Sequence, residues 1–192
     1  MTSGEPGARW RLVLDANVLL QAPLRDFILR LAEADLVAVF WSESILAEVE
    51  RNFARVSGGE NARGRYLRLH AALQRSFPLA LVGEHQQLTS TLPIALHDRH
   101  VLACALVAPA EKIVTHNTRH FLHQLLARYN KRARHPDDVL REVIHDHPAT
   151  VQGILVAQGA ALHPPRTLAQ MLDRLAQDVP QFASQARLAF DR

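Results

Sequence analysis

The feature that most constrains this chain is a repeated alternation of short apolar runs with longer segments of helical period. Residues 10–15 are mostly apolar and close on Asp15, and a helix-like segment follows over 24–34. Residues 36–41 are β-branched and aromatic. They lead into a helix expected over 44–56, where Ile45, Leu46, Val49, Phe53 and Val56 share one stripe. Ser57-Gly58-Gly59 breaks that helix. A second helix is expected over 62–76, a short strand over 79–82, a nearly all-apolar and therefore central helix over 98–107, and a strand over 112–115. Strands alternating with helices predict a parallel sheet covered on both faces, an α/β fold. Beyond Pro148 only helical signals remain: an apolar segment over 151–162, the Pro164-Pro165 breaker, then Leu168, Met171, Leu172, Leu175 and Val179 at helical spacing behind a Thr167 cap. The expected organisation is a sheet domain over 1–147 and a helical extension over 148–192, packing on that domain or on a partner.

A chain of 192 residues, 48% hydrophobic and 21% charged, can bury one sizeable core and has neither a disordered nor a fibrous composition. No apolar run approaches the roughly 18 residues of a membrane span, and the first ten residues lack the apolar centre of a signal peptide, so the expected compartment is the cytoplasm. The single cysteine, Cys104, lies in an apolar run and reads as a core residue, which excludes a disulfide scaffold and a cysteine zinc site.

Net charge is only +3, from 22 basic and 19 acidic residues, but the basic groups are clustered. Arg51, Arg55, Arg63, Arg65, Arg68 and Arg75 face one acid, Glu60; a second cluster holds Arg119, Arg128, Lys131, Arg132, Arg134 and Arg141. Such clusters suit a polyanion, through bidentate phosphate contacts and counterion release, and equally suit solvated helix faces.

Ligands of parallel sheets sit beyond the carboxyl ends of the strands, so chemistry is sought there. Asp15 closes the first strand, where a buried carboxylate needs a cation or hydrogen bonds; its alternative use is a helix N-cap. Asp98 opens the central helix, where capping alone also explains it. Asn117 follows the strand at 112–115 and doubles as a turn residue. Glu48 and Glu50 fall near opposite edges of the stripe centred at Val49, and periodicity does not choose between them. Carboxylates gathered in one cleft would repel and rise in pKa unless a divalent cation of the Mg²⁺ or Mn²⁺ class neutralised them. Eleven histidines, with His97/His100 and His116/His120/His123 at helical spacing, offer another metal reading; no HExxH pattern accompanies them, and no zinc site is assigned.

Taken in order, Val13-Leu14-Asp15-Ala16-Asn17-Val18-Leu19-Leu20, Ser42-Glu43-Ser44-Ile45-Leu46-Ala47-Glu48-Val49-Glu50-Arg51, Asp98-Arg99-His100-Val101-Leu102-Ala103 and Ile113-Val114-Thr115-His116-Asn117-Thr118-Arg119-His120-Phe121 resemble the PIN-domain ribonucleases, which include the VapC toxins of toxin-antitoxin pairs. The resemblance spans about residues 10–147 and reaches His135-Pro136-Asp137-Asp138. It implies a three-layer sandwich with a central parallel sheet, and Mg²⁺- or Mn²⁺-dependent hydrolysis of single-stranded RNA. Asp15, Glu48 and Asp98 match the family's acidic metal positions, which selects Glu48 over Glu50. Asn17 and Thr115 match supporting polar positions, and Asn117 stands where the fuller pattern has a fourth acid. Arg51, Arg55 and Arg119 are candidates for RNA phosphate contacts. The partners implied are RNA, a small antitoxin and a second copy in a homodimer, with no membrane.

Two other phosphate chemistries lose on residues. A haloacid-dehalogenase-like DxD pattern would need an acid at Asn17, and a receiver-like module an acid pair with a well-placed lysine. The remaining rival, motivated by Asn117, is a PIN-like module that binds RNA or protein without cutting.

Overall fold

The computed structural model describes residues 10–58, 61–83, 89 and 92–190. Gly59, Glu60 and the N-terminal segment 1–9 lie outside them.

Five strands form one sheet: β1 (Trp10–Leu14), β2 (Val37–Ser42), β3 (Leu81–Val82), β4 (Lys112–Val114) and β5 (Arg132–Arg134), in spatial order β3-β2-β1-β4-β5. Every pairing is parallel, with Leu12 between Val39 and Lys112 and Val13 between Phe40 and Ile113. A parallel sheet must be covered on both faces, and β1 meets that condition: Trp10, Leu12, Val13 and Leu14 are buried and Arg11 alone is exposed. The connections are α1 (Ala16–Leu19), α2 (Ala22–Glu33), α3 (Glu43–Ser57), α4 (Ala62–Ser76), α5 (Arg99–Val107), α6 (His123–Ala127) and α7 (Pro136–Asp146), with 3₁₀ turns at Leu96–Asp98 and Thr118–His120. Three C-terminal helices complete the fold: α8 (Pro148–Ala160), α9 (Leu168–Leu175) and α10 (Pro180–Phe190).

Local signals account for most boundaries. The Ser42 hydroxyl accepts from the amide of Ile45 and starts α3 directly after β2; Gly58, at φ +60, ends it in a conformation that side chains disfavour. Helix α5 buries Val101 through Ala105 without a solvent face, as its apolar run predicts. Thr167 and Gln170 form a reciprocal capping box at α9.

The strand expected over 79–82 is confined to Leu81–Val82, because residues 78–80 form a turn, and two further elements differ from the sequence expectation. Strand β5 lies within what reads as a basic cluster, because Arg132-Ala133-Arg134 carries no apolar run. It is an edge strand held by backbone bonds: the amide of Arg132 donates to the carbonyl of Glu111, and that of Thr115 to the carbonyl of Arg134. The apolar stripe from Leu168 to Val179 is also divided. Helix α9 stops at Leu175, and Pro180, which has no N–H to continue a helix, opens α10 in the first-turn position that proline favours.

Half of the second basic cluster is tied to other parts of the fold. Lys131 donates to the carbonyl of Ala110 at 2.6 Å, Arg141 donates to Gln181 and Gln185, and Arg134 pairs with Glu142 at 2.7 Å. Glu142 also accepts from Trp10 at 3.0 Å and from Lys112 at 2.6 Å, so one carboxylate on α7 ties together β1, β4 and β5. Burial pushes the Glu142 carboxyl up, but these donors and the charges of Lys112 and Arg134 outweigh it and hold the pKa below the ordinary range.

The C-terminal helices join the same core. Val151, Leu155, Leu172, Leu175, Val179 and Phe182 are buried with the sheet residues, and the Phe182 ring meets Phe27 of α2 at 5.4 Å. The junction is fastened by Asp137, in the first turn of α7 and 6% exposed: its carboxylate accepts from the amide of Gln181 at 3.1 Å and from that of Phe182 at 2.6 Å. These amides lie in the first turn of α10, where intrahelical acceptors are missing and an anion is favoured. Removing the carboxylate would leave one buried and one partly buried donor unsatisfied. Asp137→Ala is expected to lower stability by about 2–3 kcal/mol in denaturant unfolding, well beyond an exposed Asp→Ala change; a loss under about 0.5 kcal/mol would contradict this role for the contact.

Candidate active site

Chain order reverses between β1 and β4. From β1 the chain builds outward to β2 and β3, then returns to β4 on the other side of β1 and continues to β5. The crevice beyond the carboxyl ends of β1 and β4 is therefore the topological switch point, where open α/β sheets bind ligands. Asp15 and Thr115 immediately follow these two strands, and the amide of Asp15 donates to the carbonyl of Val114, extending the ladder to the crevice floor.

Asp15 is 6% exposed, and although it is the N-cap residue of α1 its side chain makes no cap hydrogen bond. Its Oδ2 instead accepts from the Thr115 hydroxyl at 2.6 Å and from the Asn17 amide at 2.7 Å. Asn17 also donates to the Thr115 hydroxyl at 3.0 Å and accepts from the backbone of His116, and the amide of Asn117 donates to that hydroxyl at 3.0 Å. Thr115, fully buried, is thus the node that orients Asp15. Burial pushes the Asp15 carboxyl above its usual range; the Thr115 hydrogen bond opposes this, and the negative charge of Glu48 adds to it.

That coupling brings Glu48 to the crevice from α3. Glu48 is half-buried with His100 Nε2 3.0 Å from its Oε2, whereas Glu50 is exposed. The contact with the His100 ring outweighs burial, and with the charges of His100, Arg51 and His97 it holds the Glu48 pKa below its ordinary value. Asp98, at the end of the Leu96–Asp98 turn, is 6% exposed and makes no cap hydrogen bond to α5. Its Oδ2 faces His97 Nε2 at 3.1 Å and His120 Nδ1 at 3.3 Å, yet this buried oxygen has no hydrogen-bond partner among the described residues.

The structure therefore places Asp15, Asn17 and Thr115 in one network, couples Asp15 to Glu48, and sets Asp98 beside His120 and beside His97, whose charge also acts on Glu48. Asn117 is exposed at the start of the Thr118–His120 turn. Arg51 and Arg119 are exposed, and Arg55 is exposed with its guanidinium on the Asn52 side chain at 2.9 Å. Sequence spacing missed the grouping of His97 with His120, which come from separate turns, and the ring contact of His116 with His135 at 3.1 Å across β4 and β5. Their helical spacings pointed to other partners, and no local signal encodes either pair.

The donor set fits a hard divalent cation. Asp15 is buried at a cost, Glu48 adds like charge, and Asp98 presents an unsatisfied buried oxygen. Because the folded state raises the Asp15 pKa above the reference value of 3.8, its ionisation weakens the metal-free fold, an effect absent at lower pH and complete once pH exceeds the folded pKa. At pH 7 in EDTA, Asp15→Asn is expected to melt higher than wild type, since an amide oxygen still accepts from Thr115. Mn²⁺ should raise the wild-type Tm more than that of the variant; a lower Tm for the variant in EDTA would contradict the burial cost.

Residues 11–119 match the PIN domain family, and residues 136–188 match the VapC50 C-terminal domain. A Mycobacterium tuberculosis (strain ATCC 25618 / H37Rv) protein, provisionally named ribonuclease VapC50, is 40% identical over 94 residues, 48% of this chain and 56% of that protein. The match thus spans little more than half of the relative's length. The first match contains Asp15, Glu48 and Asp98, the all-parallel sheet places Asp15 at its switch point, and on these grounds the chain belongs to the PIN-domain family.

Proposed function

We propose that this protein is a divalent-metal-dependent endoribonuclease that hydrolyses single-stranded RNA, acting as the toxin of a VapBC-type pair. Residues 1–147 would form the nuclease domain and 148–192 its helical extension. The observation that carries this reading is Asp15, buried at the β1/β4 switch point, held through one oxygen by Thr115 and Asn17 and charge-coupled to Glu48. The names of the matched family and of the relative support it.

Asp15, Glu48 and Asp98 would hold Mg²⁺ or Mn²⁺, which when bound supplies positive charge to the scissile phosphate and acidifies an attacking water. The remaining work belongs to the chain. Thr115 and Asn17 fix the Asp15 carboxylate, so little reorganisation is needed on binding. Glu48, kept ionised by His100, is available to accept a proton from water or to position it. Attack by water rather than by the ribose hydroxyl would leave a 5′-phosphate and a 3′-hydroxyl. Exposed Arg51, Arg55 and Arg119 would contact RNA phosphates, and Asn117 would offer a neutral oxygen where a fourth acid would strengthen cation binding. A small antitoxin would reach this crevice with a basic side chain beside the acids and lay a helix against α3 or the C-terminal helices. A homodimer and a cytoplasmic setting complete the reading; no helix among the described residues is long and apolar enough to cross a membrane.

Purified protein is expected to cleave single-stranded RNA in Mg²⁺ or Mn²⁺ and not in EDTA. Asp15→Asn and Asp98→Asn should each lose at least about 100-fold, and Thr115→Val about 10- to 100-fold through misorientation of Asp15. Each of Arg51→Ala, Arg55→Ala and Arg119→Ala should reduce the salt dependence of RNA binding by about 0.7 in log–log slope. Equal cleavage by wild type and the aspartate variants would refute the site. RNA binding without cleavage would favour the non-cutting module that Asn117 suggests.

A further inference from the structure

His97 and His120 converge on Asp98, and the nuclease reading gives neither of them a task. Their donors come from two turns at the carboxyl end of the sheet, Leu96–Asp98 before α5 and Thr118–His120 after β4. His97 Nε2, Asp98 Oδ2 and His120 Nδ1 all lie within 4.8 Å of one another, and the two imidazole rings meet edge to face at 5.4 Å.

We infer that His97, Asp98 and His120 form a binding site for a transition-metal ion of the zinc class, sharing Asp98 with the carboxylate site. A tetrahedral zinc ion with bonds of about 2.0–2.1 Å sets neighbouring donor atoms about 3.3 Å apart. The nitrogens lie 3.1 and 3.3 Å from the Asp98 oxygen, so two of the three separations are already those of a coordination shell. The burial of these atoms adds to the spacing. Both Asp98 Oδ2 and His120 Nδ1 are buried without a hydrogen-bond partner among the described residues, and Asp98 as a whole is 6% exposed. The ion-pair contacts of these atoms lack hydrogen-bond geometry, and a shared cation would offset the free-energy cost of burying them so.

The donor chemistry separates this ion from the hard one. Two imidazoles and a carboxylate suit zinc, whereas magnesium keeps oxygen ligands and water. Three protein donors leave a fourth position open, and the His97 side chain, 69% exposed, provides the entry path. An ion here engages Asp98 Oδ2 and removes it from the carboxylate set. Zinc thus antagonises the hard ion. That consequence rests on the nuclease reading, while the zinc site itself does not.

The test is titration of the full chain with Zn²⁺ alone, in competition with a chromophoric chelator. Wild type should bind one equivalent, weakened at least about tenfold in His97→Ala and in His120→Ala and unchanged in His163→Ala, a change at an exposed histidine elsewhere. The exposure of His97 makes its variant safe for folding, which circular dichroism checks. No zinc binding, or equal affinity in wild type and both variants, would overturn the site. Mn²⁺ bound beforehand, followed by its paramagnetic resonance, should be released by one equivalent of Zn²⁺ in wild type; zinc uptake with Mn²⁺ retained would overturn the sharing of Asp98. Histidine-dependent zinc uptake in a protein that binds no Mn²⁺ would support the zinc site and reject the hard-ion reading.

Discussion

The hydrogen bond from the Thr115 hydroxyl to the Asp15 carboxylate, 2.6 Å long, joins the ends of the two strands that flank the switch point. The candidate site depends on it. Strands β1 and β4 are buried and paired in parallel, so the first residue beyond each is delivered to the same crevice at a fixed spacing. An acid there would be expelled toward solvent were it not held, and Thr115 with Asn17 holds it through a single oxygen. The hydroxyl also receives the amide of Asn117, so one buried side chain organises the turns after both strands.

A second polar device joins the C-terminal helices to the sheet. Asp137 begins α7 and stabilises the start of α10, while Glu142 on the same helix gathers Trp10, Lys112 and Arg134. Both carboxylates lie on α7, which mediates between the two layers. Apolar packing supplies the bulk of that contact, through Phe27 against Phe182, but it is not directional. The charged hydrogen bonds select one docking geometry from the many that apolar surfaces allow.

Around Asp98 the site mixes two kinds of ligand chemistry. The Asp98 carboxylate is grouped with the nitrogen donors of His97 and His120, whereas Asp15 and Glu48 offer oxygen donors coupled to each other by charge. Glu48 is matched with His100 and Asp98 with His97 and His120, so each acid other than Asp15 has imidazole neighbours. Among the described residues Asp15 accepts from none and is oriented by the neutral Thr115 and Asn17. Burial raises the pKa of Asp15, whereas the His100 contact outweighs burial and lowers that of Glu48.

The sequence by itself determined the alternation of strand and helix, the buried central helix read over 98–107, the cap at Thr167, and the position of Asp15 at a strand end, whereas the cap at Ser42 emerged only in the structure. These are properties of neighbouring residues, carried by periodicity and by the preference of polar side chains for chain ends. It did not reveal β5, whose stability comes from backbone pairing with β4, nor the division of the last stripe into α9 and α10. It left Glu48 level with Glu50 until the family resemblance chose between them, and left capping as a sufficient account of Asp15 and Asp98. Tertiary structure decided these points: Glu48 meets His100 and its charge acts on Asp15 while Glu50 is exposed, and neither aspartate side chain caps its helix. It also decided which histidines meet. His97 and His120 lie on turns far apart in the chain, and only the crossing from β3 back to β4 brings them to one carboxylate. Contacts of that kind are set by the order of strands in the sheet, which no local pattern encodes.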